Sequence, residues 1–432
     1  PPGEYDVTSE KTGFRPARVT GLRLSVGLTA TINFSLEVGT VTEAVEVSAT
    51  AVQLEAQTSG LGKVVEQRRV VELPLLGRNP LSLAATAPGV IPSSGQRGTG
   101  QDIIGVSTTS QINGGLSQQN GVLIDGGESR GTTEGGAAYT VPLEAVGEFR
   151  IETSTYPAEF GRTAGGIVNV ATKSGTNQIH GVVYEFLRND HLNANTWQNN
   201  RNRVPKGLFQ RNEFGAGAGG KIIKNRTFWF AIYEGTRQGS PDQALLSVPT
   251  AAQKQGDFSQ TFDRLGRLNM IYDYTTTRAN PAVPGSVIRD PFPNNRIPSA
   301  RIHPISAKVS PFWGDGNRQG EGAALINNYF RVGKAITDSD SWFGRVDHTL
   351  NDRHRLYGRY GGRELKSTTQ VALNPAFPPR SLSSNPANSA LISLTSTFSP
   401  TFLGEGRISY TRLQFDSSPL SEGFDVASLG FT

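Results

Sequence analysis

Along the second half of this chain, apolar and polar residues alternate in short runs. Within 389–398, Ile392, Leu394 and Phe398 fall on one face of an extended chain, while Ser393, Thr395 and Thr397 fall on the other. Within 355–363, Arg355, Tyr357, Arg359 and Arg363 share a face, and Leu356 and Tyr360 lie opposite with Gly358 and Gly362. A period of two belongs to a β-strand with unlike faces. The same reading places strands at 181–189, 212–222, 227–237, 341–350, 355–365, 389–398 and 403–415, although 227–237 is apolar on both faces.

Every second link between these strands is tight: around Lys224, at 351–354 and at 399–401. The intervening links run 190–211, 238–340 and 366–388. A soluble sandwich has no reason to sort short and long connections onto opposite ends, whereas outer-membrane barrels combine short periplasmic turns with long outside loops. The pattern therefore predicts membrane-spanning hairpins, polar towards a lumen and apolar towards lipid. The long insert, with "RDPFPNNRIPSARIHP", is expected to be an ordered outside loop rather than a flexible linker.

Upstream the pattern changes. Leu22, Leu24 and Val26, then Ile32, Phe34 and Leu36, recur every second residue and predict half-buried strands of a small sandwich over 1–40. Residues 41–50 read as an extended connector. From 51 to 178, two short apolar stretches around Pro74 suit a short helix or two, and "VLID", "FRIET" and "GIVNVATK" read as strands between glycine turns. Residues 179–432 form the expected spanning region.

Composition sharpens this picture. Hydrophobic residues make up 36% of the 432, below the usual value of about 45–50%, which argues against one large dry core. Absence of cysteine excludes disulfides and thiolate chemistry, and suits an oxidising envelope compartment. The net charge of +5 is scattered rather than gathered in a stripe, so nucleic acid is not an expected partner. No run is long and apolar enough for a transmembrane helix, which leaves a β-barrel open. Met270 is the single methionine and the chain opens at Pro1 without a leader-like segment, so a fragment is expected.

Candidate chemistry is sparse. "EFGAGAGGKII" satisfies a glycine-loop spacing at Gly215, Gly217 and Gly220 and the start of a P-loop at Lys221, but Ile222 stands where Ser or Thr would hold magnesium and no helix pattern follows. Gly215, Gly217 and Gly219 instead fall on one strand face, where missing side chains would admit an inner domain close to the wall. His180, His191, His303, His348 and His354 show no ligand spacing, so no metal is expected; His348 and His354 flank the 351–354 turn near the periplasmic rim. Asp125, Glu159 and Arg162 lack a nucleophile or oxyanion hole at readable spacing, so ion pairing and turn bonding explain them better than catalysis. No cofactor is expected.

With "VLIDGG", "EFRIETSTYPAEFGRTAGGIVNVATKSGTNQIHG" and "VVYEFLRN", the sequence resembles the Oar-like branch of TonB-dependent outer-membrane receptors. The resemblance implies a mainly β fold: the end of a carboxypeptidase-regulatory-like, Ig-like sandwich, an α+β plug domain, and the first part of an antiparallel transmembrane barrel that would number about 22 strands when complete. It also implies import of an unidentified extracellular solute, no enzymatic activity, contact with outer-membrane lipid, and a TonB energising complex that pulls on a short extended box. "TEAVEVS" (Thr42, Glu43, Ala44, Val45, Glu46, Val47, Ser48) resembles such a box, since strand addition carries force through main-chain bonds. A linker or a last sandwich strand is an equal reading of those residues. Glu148, Arg150, Glu159 and Arg162 are candidates to clasp plug to wall. Gln96, Arg97, Asn113, Gln118 and Asn120 are candidates to face solute with amide and guanidinium donors. A surface adhesion or secretion-associated barrel without import remains the alternative.

Overall fold

The computed structural model describes residues 3–25, 30–39, 45–48, 61–73, 75–92, 110–116, 119–131, 136–156, 160–161, 163–201, 204–370, 380–399, 401–418 and 422–431. Its strands form three main sheets. The first contains β1 (Gly3–Ser9), β2 (Ala17–Leu24) and β3 (Val45–Ser48), with β1 antiparallel and β3 parallel to β2. The expected strand around 32–36 gains no ladder among the described residues. Its alternation survives as alternating exposure, and isolated contacts, such as the Phe14–Val38 bridge, tie the segment to its described neighbours. Period two selects a face; a strand also needs a partner for its backbone groups.

The second unit begins with β4 (Leu61–Glu66) and a short helix, Gln67–Glu72, followed by 3-10 turns around Pro80. A small ribbon pairs β5 (Val90–Pro92) with β6 (Ser110–Ile112). Then come β7 (Gly121–Ile124), β8 (Gly127–Glu128), β9 (Val146–Ser154) and β10 (Ile167–Thr172), giving a five-stranded sheet in the order β4-β9-β10-β7-β8. Strands read from "VLID", "FRIET" and "GIVNVATK" are all present. β9 is buried along nearly its whole length yet unlike on its two faces, with Phe149 and Ile151 on one and Glu148, Arg150 and Glu152 on the other, and β10 carries Asn169 among apolar residues. Tyr139, Leu143, Phe149, Ile151 and Val170 are buried in a core that also takes in the wall residues Ile232, Phe343 and Ala387.

The wall is an antiparallel meander of seven long strands. It starts with β11 (His180–Asn189), β12 (Gln210–Ile223) and β13 (Thr227–Leu246). After the outer loop, which carries the small ladder β14 (Arg278–Ala279) and β15 (Val287–Ile288), it continues with β16 (Tyr329–Asn351) and β17 (His354–Gln370). The sixth strand is interrupted at Asn385 into β18 (Arg380–Ser384) and β19 (Ala387–Ser399), and the seventh into β20 (Phe402–Leu413) and β21 (Asp416–Ser418). Neighbours pair in chain order, so β11 stands at one edge and β20 with β21 at the other. The sheet is open.

Alternation sorts the wall's side chains as the sequence predicts. Ile392 and Leu394 are 60% and 40% exposed, whereas Ser393 between them is 0% exposed. Ile392 faces outward with Ile408, its register partner, and with the aromatic residues Tyr233, Trp342, Tyr360 and Tyr410. Above that aromatic row the outward face turns charged, with Arg237 paired to Asp340 (2.7 Å) and Lys366 to Glu364 (2.6 Å). Towards the short turns, Phe398 and Phe402 stack at 5.2 Å. The outward stretch between these limits, 342–350 on β16, is about nine residues long, which is what a tilted barrel strand needs to cross hydrocarbon.

Candidate functional site: the seam between inner sheet and wall

A buried polar contact between the inner sheet and the wall is built on a two-residue turn. Asp125 and Gly126 join β7 to β8 with φ of 51° and 77°, the left-handed pair that an Asp-Gly turn supplies at low cost. The tip of this hairpin points at the wall. A Cβ on Gly126 would lie 1.9 Å from Arg407 Nη1 and would force that side chain to move, and the φ of 77° itself favours glycine.

Asp125 is consequently buried against cations. The Thr172 backbone N–H donates to its Oδ1 (2.8 Å) and the Thr172 hydroxyl to its Oδ2 (2.7 Å). Arg359 Nε stands 2.9 Å from Oδ2, and Arg345 Nη1 stands 3.5 Å from Oδ1. Both guanidiniums reach further into the inner sheet: Arg359 Nη2 donates to the Ile124 carbonyl (2.8 Å), and Arg345 Nη1 donates to the Thr172 hydroxyl oxygen (2.9 Å). Arg345 also pairs with Asp347 (2.7 Å) and lies over the Tyr357 ring, 4.2 Å from its centroid. One carboxylate thus joins two wall strands to the ends of β7 and β10.

A second cluster sits near β11. Arg78 donates to Glu144 (3.0 Å) in its own unit and to Glu234 of the wall (3.4 Å), with its guanidinium 4.2 Å from the Tyr184 ring centroid. The Tyr184 hydroxyl donates to Glu234 (2.6 Å). Lys173 approaches Glu144 at 3.7 Å; burial presses its ammonium below the usual lysine value, and Glu144 opposes that shift. Between the two clusters, the buried Tyr139 hydroxyl donates to the Trp342 carbonyl (3.1 Å) over Gly361, where a Cβ would come within 2.2 Å of that oxygen. Burial raises the Tyr139 pKa, so it remains a donor. The chain leaves the inner unit through Ser174, which donates to Asp347 (2.6 Å), and Gly175, whose missing Cβ clears the Trp229 and Gly220 carbonyls.

Two of the four expected clasp residues are described. Glu148 and Arg150 lie on β9 inside the five-stranded sheet, and Arg150 pairs with Glu152 at 2.9 Å. Glu159 and Arg162 lie outside the described residues. Among the solute-facing candidates, Asn120 is buried, donating to the Ser110 carbonyl (2.5 Å) and accepting from Gly166 N–H (3.1 Å). Asn113 occupies a left-handed turn position and donates to the Thr153 carbonyl. Gln96, Arg97 and Gln118 lie outside the described residues. Of the box-like stretch, Val45–Ser48 form the edge strand β3, and Thr42, Glu43 and Ala44 are outside the description.

The glycine face of β12 also needs correction. Gly215, Gly217 and Gly219 do point inward, but the space they leave is taken by wall side chains: Tyr184 at Gly215, Ile232 at Gly217 and Phe230 at Gly219. The glycines let large side chains of neighbouring strands lie flat and reach the core, rather than admitting the inner sheet itself. Sequence reasoning assigned Asp125 to turn bonding and ion pairing, and placed Arg359 on the inner face; it passed over Arg345, Arg78 and Tyr139. Arg345 was legible as an inward position of "SWFGRVDHTL".

A family model described as an outer membrane beta barrel domain matches residues 171–432. The TonB-dependent transporter Oar of Myxococcus xanthus is 29% identical over 247 residues, which are 54% of this chain and 22% of that protein. The chain therefore spans less than a quarter of this relative. Among solved structures, the outer membrane transporter YddB from Escherichia coli aligns with 12% identity and a TM-score of 0.49, over 78% of this chain and 37% of that one. The ferric enterobactin receptor of Pseudomonas aeruginosa aligns with 12% identity and a TM-score of 0.46, over 83% and 41%.

Proposed function

This chain belongs to the outer membrane β-barrel domain family, and from that premise we propose that it is part of a TonB-dependent receptor that imports a solute across the outer membrane by displacement of a plug. Residues 51–178 are the plug, 179–432 the first part of the barrel, 1–40 the end of a periplasmic sandwich, and 41–50 a linker carrying the box. The observation that carries this reading is the Asp125 seam. Its contacts are hydrogen bonds and ion pairs from a hairpin tip to wall side chains. Such bonds can be exchanged for water and remade, as a gate requires.

TonB is the proposed energising partner, acting on 42–48. β3 lies at the edge of its sheet, so its outer side offers main-chain donors and acceptors to an added strand. Glu148, Arg150, Glu159 and Arg162 remain proposed as contacts between plug and barrel wall, and Gln96, Arg97 and Gln118 as solute-facing groups. The solute is unidentified.

Two experiments on the full-length receptor in cells test the reading. Asp125→Lys should admit vancomycin, by placing a cation against Arg345 and Arg359; unchanged vancomycin resistance at equal expression contradicts the seal. Val45→Pro with Val47→Pro should abolish co-purification with the periplasmic domain of TonB; undiminished recovery removes the box assignment and favours a barrel that does not import.

A further inference from the structure

Four arginines among the described residues are 5% exposed or less: Arg150, Arg211, Arg359 and Arg363. Three have a carboxylate: Arg150 pairs with Glu152, Arg211 with Glu213 and Arg359 with Asp125. Arg363 is 2% exposed, and its Nε, Nη1 and Nη2 have no hydrogen-bond partner among the described residues. A buried guanidinium without a counter-charge is costly, because neither water nor an acid replaces its lost hydration.

Its position gives that cost a direction. Arg363 projects from β17 into the lumen, on the same face as Arg359 and nearer the long-loop end. Register sets Ser341 of β16 beside it and Ala387 of β19 on its other flank, and the next inward position, Gly361, is where Tyr139 crosses from the inner sheet. Arg363 therefore lies just outward of the Asp125 seam, with hydroxyl groups of Ser341 and Ser339 along the neighbouring strand.

We propose that Arg363 is an anion-binding site in the wall of the lumen, taking a carboxylate or phosphate group in the planar fork of its guanidinium with Ser341 as a further donor. The site stands independently of import; assigning its anion to a travelling solute rests on the proposed function. Co-purification with TonB can therefore fail without touching the site, and the site can fail without touching TonB.

The test is thermal unfolding of the purified full-length receptor in sodium chloride, sodium phosphate and sodium acetate at matched ionic strength and neutral pH. Wild type should shift upward in phosphate, in acetate or in both, and the anion that works identifies the class of oxyanion. Arg363→Gln should abolish the shift and unfold in chloride no earlier than wild type, because it removes an uncompensated charge. Arg363→Lys should keep only part of the shift, since an ammonium lacks the fork. Absence of any wild-type shift, or a shift retained in Arg363→Gln, overturns the proposal. Earlier unfolding of Arg363→Gln in chloride also overturns it, since that result means a carboxylate of the receptor already occupies the site.

Discussion

The seam at Asp125 and the outer loop at Asp290 use the same two groups, a carboxylate and a guanidinium, at nearly the same distance. Asp125 and Arg359 approach at 2.9 Å with side chains 5% and 1% exposed, whereas Asp290 and Arg278 approach at 2.8 Å with side chains 54% and 52% exposed. Distance therefore does not distinguish them; solvent does. At the seam each charge has surrendered its hydration and depends on its partner, while in the loop water stands ready to replace either one. A buried pair of this kind enforces alignment between two sheets, and an exposed pair does little more than bias a loop.

The sharpest way to break that contrast is to remove one carboxylate from each site. Asp125→Ala leaves Arg359 and the inward half of Arg345 uncompensated, and should cost about 3–5 kcal/mol in denaturant unfolding of the full-length receptor. A smaller loss is expected from Gly361→Ala, which forces a methyl against the Tyr139 hydroxyl. Overpacking of this sort costs about 1–3 kcal/mol, and Tyr139→Ala in the same chain should relieve the clash. Tyr139→Phe deletes only the bond to the Trp342 carbonyl, and should cost about 0.5–1.5 kcal/mol by the same measurement.

The loop should respond least. Asp290→Asn is expected to leave global unfolding unchanged. Hydrogen bonds from Arg278 to Asp290, and from Arg301 to Asp273, hold these carboxyls below the ordinary aspartate value of 3.8. Their contribution is fully present above that value and is lost as pH falls through the lower folded-state values. Protection of 257–301 from acid-active protease should accordingly be constant from pH 7 to 5 and should fall only in stronger acid. Loss of protection near pH 6 would assign the loop's order to other groups.

The same contrast explains what the sequence made legible. All seven wall strands were readable: six carry the alternation that unlike faces impose, and 227–237, apolar on both faces because Ile232 and Phe230 pack against the inner core, was legible from its run of aromatic and β-branched residues. Their outer ends were not. β13 runs on to Leu246 and β16 begins at Tyr329, beyond the charged Arg237–Asp340 level, where both faces meet water and the period-two signal fades. Asp125 announced its turn through Asp-Gly, but its partners Arg345 and Arg359 lie more than two hundred residues away in the chain, and spacing carries no record of such pairing. Ile32, Phe34 and Leu36 show the converse: alternation without, among the described residues, a neighbouring strand that would complete a ladder. Asn120 looked like a solvated amide in a polar run, yet the Ser110 carbonyl and the Gly166 N–H hold it inside.

The central claim is that the wall stands in the outer membrane with one face in lipid and the other against the inner sheet. Spin labels placed singly at Ile392, Ser393, Leu394 and Thr395 of the full-length receptor in bilayers test it most directly, through relaxation by oxygen, which concentrates in lipid, and by a water-soluble nickel chelate. The account predicts that oxygen relaxes labels at 392 and 394 far more strongly than those at 393 and 395. Equal oxygen relaxation at all four positions, or dominance of the nickel chelate at 392 and 394, would contradict it.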